Sequence, residues 1–202
     1  MQVQVQPLSA HRTSPAPCLI LISRDQYLSC RVQVPDLERA ITAIRIGDRF
    51  YSFFKAVPDC RKLLGIVVKL SYRGDQVAVT KVGKVYGIWV WEPDAQPLAD
   101  VTRGHQSPPL PAPAGCRILV SKQQYQSVDI YVPDLEQPLQ AIAVDSRYYS
   151  IFRVESEAQR LIELVGKITQ RGDETVVVRV DKGYSICILE PEGQTSPVSQ
   201  SN

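Results

Sequence analysis

Two stretches of this chain alternate between apolar and polar residues with a helical period, and the segments around them alternate with a shorter one. Ala158, Leu161, Ile162, Val165 and Ile168 fall at i, i+3, i+4, i+7 and i+10, and Cys60, Leu63, Leu64, Val67 and Leu70 repeat the stripe. Each predicts an amphipathic helix with one buried face. Ser156 with Gln159 three residues on fits a capping box, Lys69 and Lys167 suit the final turn, and Gly74 and Gly172 suit the left-handed residue that ends a helix. Before the first helix, Cys18–Ser23 and Arg31–Val34 read as a first pair of strands, and Ala43–Ile46 with Phe50–Ala56 read as a hairpin around Gly47-Asp48, matched by Asp145-Ser146. After each helix a second hairpin is predicted: Val77–Val82 into Tyr86–Trp91 through Gly83-Lys84, and Thr175–Val180 into Tyr184–Leu189 through Lys182-Gly183.

The pattern recurs because the chain is duplicated. Residues 18–95 laid over 116–193, a shift of 98, match without a gap. The strongest blocks are Tyr27/Tyr125, Val34-Pro35-Asp36-Leu37-Glu38 over Val132-Pro133-Asp134-Leu135-Glu136, Tyr51-Ser52 over Tyr149-Ser150, Arg73-Gly74-Asp75 over Arg171-Gly172-Asp173, and Glu92-Pro93 over Glu190-Pro191. Two copies of this length make a tandem pair and not a solenoid. The expected fold class is α+β: two homologous repeats, each an antiparallel sheet of hairpins with one covering helix. The expected organisation is a flexible N-terminal tail (1–17), repeat one (18–95), a Pro-rich linker (96–115), repeat two (116–193) and a flexible C-terminal tail (194–202). Pro108 to Pro111 matches P-x-x-P, for which a spacer is sufficient explanation.

Composition narrows the class. Of 202 residues 44% are hydrophobic and 22% charged, which supports a packed core and excludes collagen, coiled coil and wholesale disorder. No run approaches the roughly 18–20 apolar residues of a membrane helix, and the first 17 residues lack the basic and apolar regions of a secretion signal, so a cytoplasmic protein is expected. Five cysteines without C-x-x-C spacing point to reduced, mostly buried thiols. Repeat one holds 12 basic and 8 acidic residues, a net +4, and repeat two 9 and 12, a net −3. A repeat this small is marginal alone, and opposite charge favours docking of the pair within one chain or head to tail between chains.

Catalytic chemistry has little foothold. His11 and His105 lie outside the repeats, and no G-x-G-x-x-G, Walker A, H-E-x-x-H or G-x-S-x-G pattern occurs, so no catalytic residue, metal site or cofactor is expected. Asp36/Glu38 and Asp134/Glu136 could in principle hold a hard cation, but acidic residues opening a turn after proline account for them. The Arg-Gly-Asp tripeptides read as helix exits.

Aromatic residues carry the remaining signal. Tyr86, Ile88 and Val90 face one way in their strand and Trp89 and Trp91 the other, so both faces need cover. A contact between the repeats is the favoured cover for the tryptophans, ahead of an external partner and ahead of the repeat's own core. The candidate contact residues are therefore Trp89, Trp91, Tyr86, Tyr51 and Phe53, in a non-enzymatic interaction or regulatory protein whose partner is another protein or a second copy. The alternatives are nucleic-acid binding through Arg31, Arg45, Arg49, Lys55, Lys81 and Lys84 beside those aromatics, and a small ligand in the seam between repeats. The blocks around Arg49–Phe54 and Arg147–Phe152, with the Arg-Gly-Asp to Glu-Pro stretch, resemble small uncharacterised cyanobacterial proteins; that resemblance implies an intracellular setting and no site residues.

Overall fold

The computed structural model describes residues 14–98 and 111–195. The tails and linker read from the sequence, together with His11, His105 and the P-x-x-P match, fall largely or wholly outside those residues. In chain order the elements are β1 (Cys18–Leu21), β2 (Leu28–Gln33), β3 (Ile41–Ile46), β4 (Arg49–Val57), α1 (Cys60–Tyr72), β5 (Val77–Val82), β6 (Val85–Trp91) and β7 (Gln96–Pro97). The second copy gives β8 (Cys116–Leu119), β9 (Gln126–Ile130), β10 (Leu139–Val144), β11 (Arg147–Glu155), α2 (Ala158–Gln170), β12 (Thr175–Val180) and β13 (Gly183–Leu189).

These strands overturn the expected α+β class. They form one 13-stranded sheet in the order β7-β2-β3-β4-β6-β5-β1-β8-β12-β13-β11-β10-β9, so the protein is mainly sheet and the halves are not separate layers. The sheet is also mixed. β1 does not pair with β2; it runs parallel to β5, from Cys18↔Val77 to Leu21↔Thr80, and β8 runs parallel to β12 in the same register. Alternation in a short apolar run reports which residues are buried and says nothing about which strand lies beside it, which is why the sequence suggested the nearer partner. The two halves meet where β1 and β8 pair antiparallel at Cys18↔Cys116, positions that correspond under the 98-residue shift.

Nor does each helix simply cover its own repeat. α1 and α2 lie on one face and share a single core with both halves, in which Ile20, Leu63, Val67 and Ile88 join Ile118, Leu161, Val165 and Ile186. One backbone pair contributes about 1 kcal/mol, whereas each fully buried Leu, Ile or Val contributes roughly 1.5–3 kcal/mol, so this shared core and not the β1–β8 pairing holds the halves together. Glycine sets the fit: a Cβ on Gly166 of α2 would lie 2.4 Å from Ile22 Cγ2 and 3.3 Å from Ile20 Cγ2 of the other repeat. Lys81 of β5 adds an ion pair to Glu163 of α2 at 2.7 Å, partly exposed and worth at most about 1 kcal/mol.

On the opposite face each half curls around a smaller core of its own. Leu21, Tyr27, Ile44, Ile46, Tyr51 and Ala78 cluster in the first half, with Leu19, Trp89 and Trp91 packed against them; Leu119, Ile142, Val144, Tyr149, Val176, Val178 and Cys187 form the second. β1 and β3 are separated by three strands in the sheet yet meet in one cluster, which requires the half-sheet to roll up.

Local chemistry explains the element borders. Asp59 caps α1 by accepting from the Lys62 backbone N–H at 2.7 Å, and Gly74, at φ 92°, lets the Asp75 N–H return to the Leu70 carbonyl at 3.1 Å. The predicted Ser156 capping box is absent: the N-cap is Glu157, and the buried Glu155 carboxylate accepts from the Ser156 and Glu157 backbone N–H groups at 3.0 and 3.2 Å. The β10–β11 turn holds Asp145 at φ 48° and Ser146 at φ 63°, left-handed conformations that disfavour a non-glycine residue.

Gly166→Val, which gives α2 the residue α1 carries at the matching position, is expected to lower stability by about 1–3 kcal/mol by forcing α2 off β1. Ser146→Gly is expected to raise it by about 0.5–1 kcal/mol. Urea unfolding of both variants checks these values.

Candidate interaction surface

The sequence-predicted contact residues divide between core and surface. Tyr86 is 2% exposed in the shared core and Tyr51 2% exposed in the first curled core, so neither can touch a partner. Trp89 and Trp91 are half-buried and lie in that same curled core, away from the junction; the expected contact between repeats through them is not formed. The Trp89 indole N–H donates to Thr80 Oγ1 at 2.9 Å, and Arg49 lies 5.4 Å from the centre of the Trp91 ring. β6 is covered on both faces because it is a central strand with helices on one side and the rolled half-sheet on the other. Phe53 alone of the five is exposed, its ring edge-on to Trp89 at 5.1 Å between centroids.

Phe53 opens the segment that the sequence did not single out. The β3–β4 ladder stops at Ala43↔Ser52, while the β4–β6 ladder continues to Val57↔Tyr86. From Phe53 to Val57, β4 thus has no strand beside it on the side away from β6 among the described residues. A β-bulge at Phe54, between the Phe53↔Trp89 and Lys55↔Ile88 pairs, causes this. It bends the strand away from β3 and shifts the alternation by one: Tyr51 and Phe53 lie on the Trp89 side, Lys55 and Val57 on the helix side. Phe53, Phe54, Lys55 and Ala56 are all exposed.

The second repeat carries the same device. The β10–β11 ladder ends at Ala141↔Ser150, and the bulge falls at Phe152, between Ile151↔Cys187 and Arg153↔Ile186. Ile151, Phe152, Arg153 and Val154 are exposed in turn. An unpaired strand segment with exposed Phe54 (52%) and Phe152 (54%) presents backbone donors and acceptors together with apolar side chains, the combination that recruits another strand. The one available signal was the doubled aromatic of Phe53-Phe54 at the end of a strand whose first half alternates.

The six cations named for nucleic acid are not assembled into one surface. Arg45 Nε donates to the Gly47 carbonyl at 2.9 Å and Arg49 lies over Trp91, both at the β3–β4 turn, whereas Lys55 lies at the far end of β4. Lys81 is neutralised by Glu163, Arg31 donates to the Ala40 carbonyl at 2.9 Å, and Lys84 lies in the β5–β6 turn. With Tyr51 and Tyr86 buried and the tryptophans half-buried, Phe53 is the one ring of the five that is exposed, close to Lys55 in β4.

Beside the junction lies a groove of about 380 Å³ lined by Ser14–Pro17, Gly115, Arg117, Arg147 and Glu174. Its charges answer one another. Arg117 bridges Asp145 at 2.7 Å and Glu174 at 3.1 Å, Arg147 reaches both Glu174 oxygens at 2.8 Å, and the Tyr149 hydroxyl donates to Glu174 at 2.8 Å. Burial alone would raise the Glu174 carboxyl, but the hydrogen bonds from Tyr149, Arg147 and Arg117 outweigh it and hold it below its ordinary 4.5. Tyr149 is pushed up to about 12 by burial and by its bond to Glu174. Cys18, Cys116 and Cys187 are buried thiols, and burial pushes Cys187 up to about 11. Among the described residues no group of three or more His, Cys, Asp or Glu is placed to hold a metal ion, and no helix is long and apolar enough to cross a membrane. No family model, curated protein or solved structure matches the chain.

Because Glu174 has its pKa lowered by folding, the stability it contributes is present above about pH 4.5 and is lost as pH falls through its folded-state value. Glu174→Gln is expected to be less stable than the parent at pH 6, with the gap narrowing toward pH 3. Thermal melts of both proteins across that range check the sign.

Proposed function

We propose that this protein is a non-enzymatic interaction protein of the cytoplasm that acts by surface contact, using the outer half of β4 and its counterpart on β11 as two copies of one binding edge. The observation that carries the reading is the duplicated bulge: at Phe54 and at Phe152 a strand turns away from its neighbour and leaves four consecutive exposed residues that include large apolar side chains. Soluble sheets ordinarily shorten, charge or cover such an edge, and retention of Phe on both copies argues for a use. The mode is strand addition, in which the partner's backbone completes the ladder and its side chains select the site. The rest of the fold holds the two edges in fixed relation, since the shared helix-face core and the β1–β8 junction join the halves.

A photo-crosslinking phenylalanine analogue at position 54 or 152, in native extract, is expected to give discrete protein adducts that the same analogue at Val85, exposed at the start of β6, does not give. Equal labelling at all three sites, or none at 54 and 152, overturns the reading.

A further inference from the structure

Beside the β4 edge lies a groove of about 520 Å³, lined by Lys55, Ala56, Val57 and Pro58 from the strand and its exit and by Lys62, Gly65, Ile66 and Lys69 from α1. Its wall between the lysines is apolar, and no acidic residue lines it. None of the three lysines has a carboxylate within ion-pair distance among the described residues. Asp59, between Lys55 and Lys62 in sequence, has its carboxylate engaged at the N-terminus of α1, where it accepts from the Lys62 backbone N–H, and Asp75, six residues after Lys69, pairs with Arg73.

The other repeat shows what such a cluster binds. The three positions are cationic there too, as Arg153, Arg160 and Lys167. In that copy the chain supplies anions to two of them: Arg153 lies 3.7 Å from Glu155 and Arg160 lies 3.2 Å from Glu157. The positions of those two glutamates are Val57 and Asp59 in repeat one, so one carboxylate is missing and the other is used as a cap. Three uncompensated lysines over an apolar floor, next to strand backbone that lacks a neighbour, call for an occupant with carboxylates at strand spacing and small apolar residues between them.

We infer that the groove of repeat one takes an extended acidic peptide, which adds to β4 at Phe53–Val57 as a strand and places alternate carboxylates on Lys55, Lys62 and Lys69. This rests on the reading of β4 as a contact edge and adds to it the chemistry of the partner. A strand is favoured over an anionic membrane surface because a lipid headgroup layer cannot complete a backbone ladder, whereas a peptide satisfies the lysines and the edge at once.

The test uses the full chain and a fluorescent peptide of alternating Glu and Val, seven residues long, read by anisotropy. Saturable binding that weakens with salt is expected, with at least a tenfold loss in Lys55→Glu/Lys62→Glu and little change in Lys84→Glu, whose lysine lies outside the groove. N-methylation of the backbone amides on one edge of the peptide is expected to abolish binding, and on the other edge to leave it, since a strand uses alternate amides toward its neighbour. Failure of the acidic peptide to bind overturns the inference while leaving the crosslinking result at position 54 to stand. So does equal binding of a Gln/Val or Lys/Val peptide, insensitivity to both N-methylation patterns, or transfer of the lysine dependence to phosphatidylserine vesicles in place of the peptide.

Discussion

The arrangement depends on where β1 lies. A four-residue strand at the start of the repeat passes over its sequence neighbour β2 and inserts beside β5, and its counterpart β8 does the same beside β12. Each half-sheet then presents β1 or β8 as its inner edge, and the two edges meet at Cys18 and Cys116. From that placement follow the continuous sheet, the mirrored strand order about the junction, and the need for both helices to pack across one face. It also forces each half to roll, because the chain leaves β1 at the centre and reaches β2, near the outer edge, through only the 3-10 turn Arg24–Gln26 and its flanking residues. A strand buried on both faces has to be apolar on both, which Cys18-Leu19-Ile20-Leu21 satisfies.

The bulges at Phe54 and Phe152 belong to the same design. A nine-residue β4 beside a six-residue β3 has more length than its neighbour can pair, and the bulge uses the excess to rotate the strand's end onto the helix face. Val57 reaches the shared core while Phe54 is turned to solvent. The two copies keep this geometry but differ in charge: repeat two satisfies its cations with Glu155 and Glu157, and repeat one does not.

Several readings of the sequence correspond to one contact each. The Tyr-Ser and Glu-Pro blocks, 40 residues apart, are two ends of a single hydrogen bond, Ser52 Oγ to Glu92 at 2.6 Å and Ser150 Oγ to Glu190 at 2.6 Å. The Val-Pro-Asp-Leu-Glu blocks are tight turns closed by Leu37 N–H to the Val34 carbonyl and Leu135 N–H to the Val132 carbonyl, both at 3.0 Å. The helical stripes were legible because a period of 3.6 over 13 residues leaves little room for another structure, and the hairpins because Gly47 and Gly83 sit where positive φ is required. Of the proposed contact edge only Phe53 and Lys55 were named from the sequence, since a bulge has no residue signature strong enough to separate it from continued alternation.

The sequence by itself determined the duplication, the two helices with their buried faces, the hairpin turns and the opposite charge of the halves, because each is set by neighbours within a few residues or by comparison of one copy with the other. Strand partnership, the fusion of two halves into one sheet, the burial of Trp89 and Trp91 within their own repeat and the exposure of the β4 edge were decided only by the tertiary structure. Those depend on pairings between residues far apart in the chain, and a strand's own pattern of apolar and polar positions is the same whichever neighbour it finds.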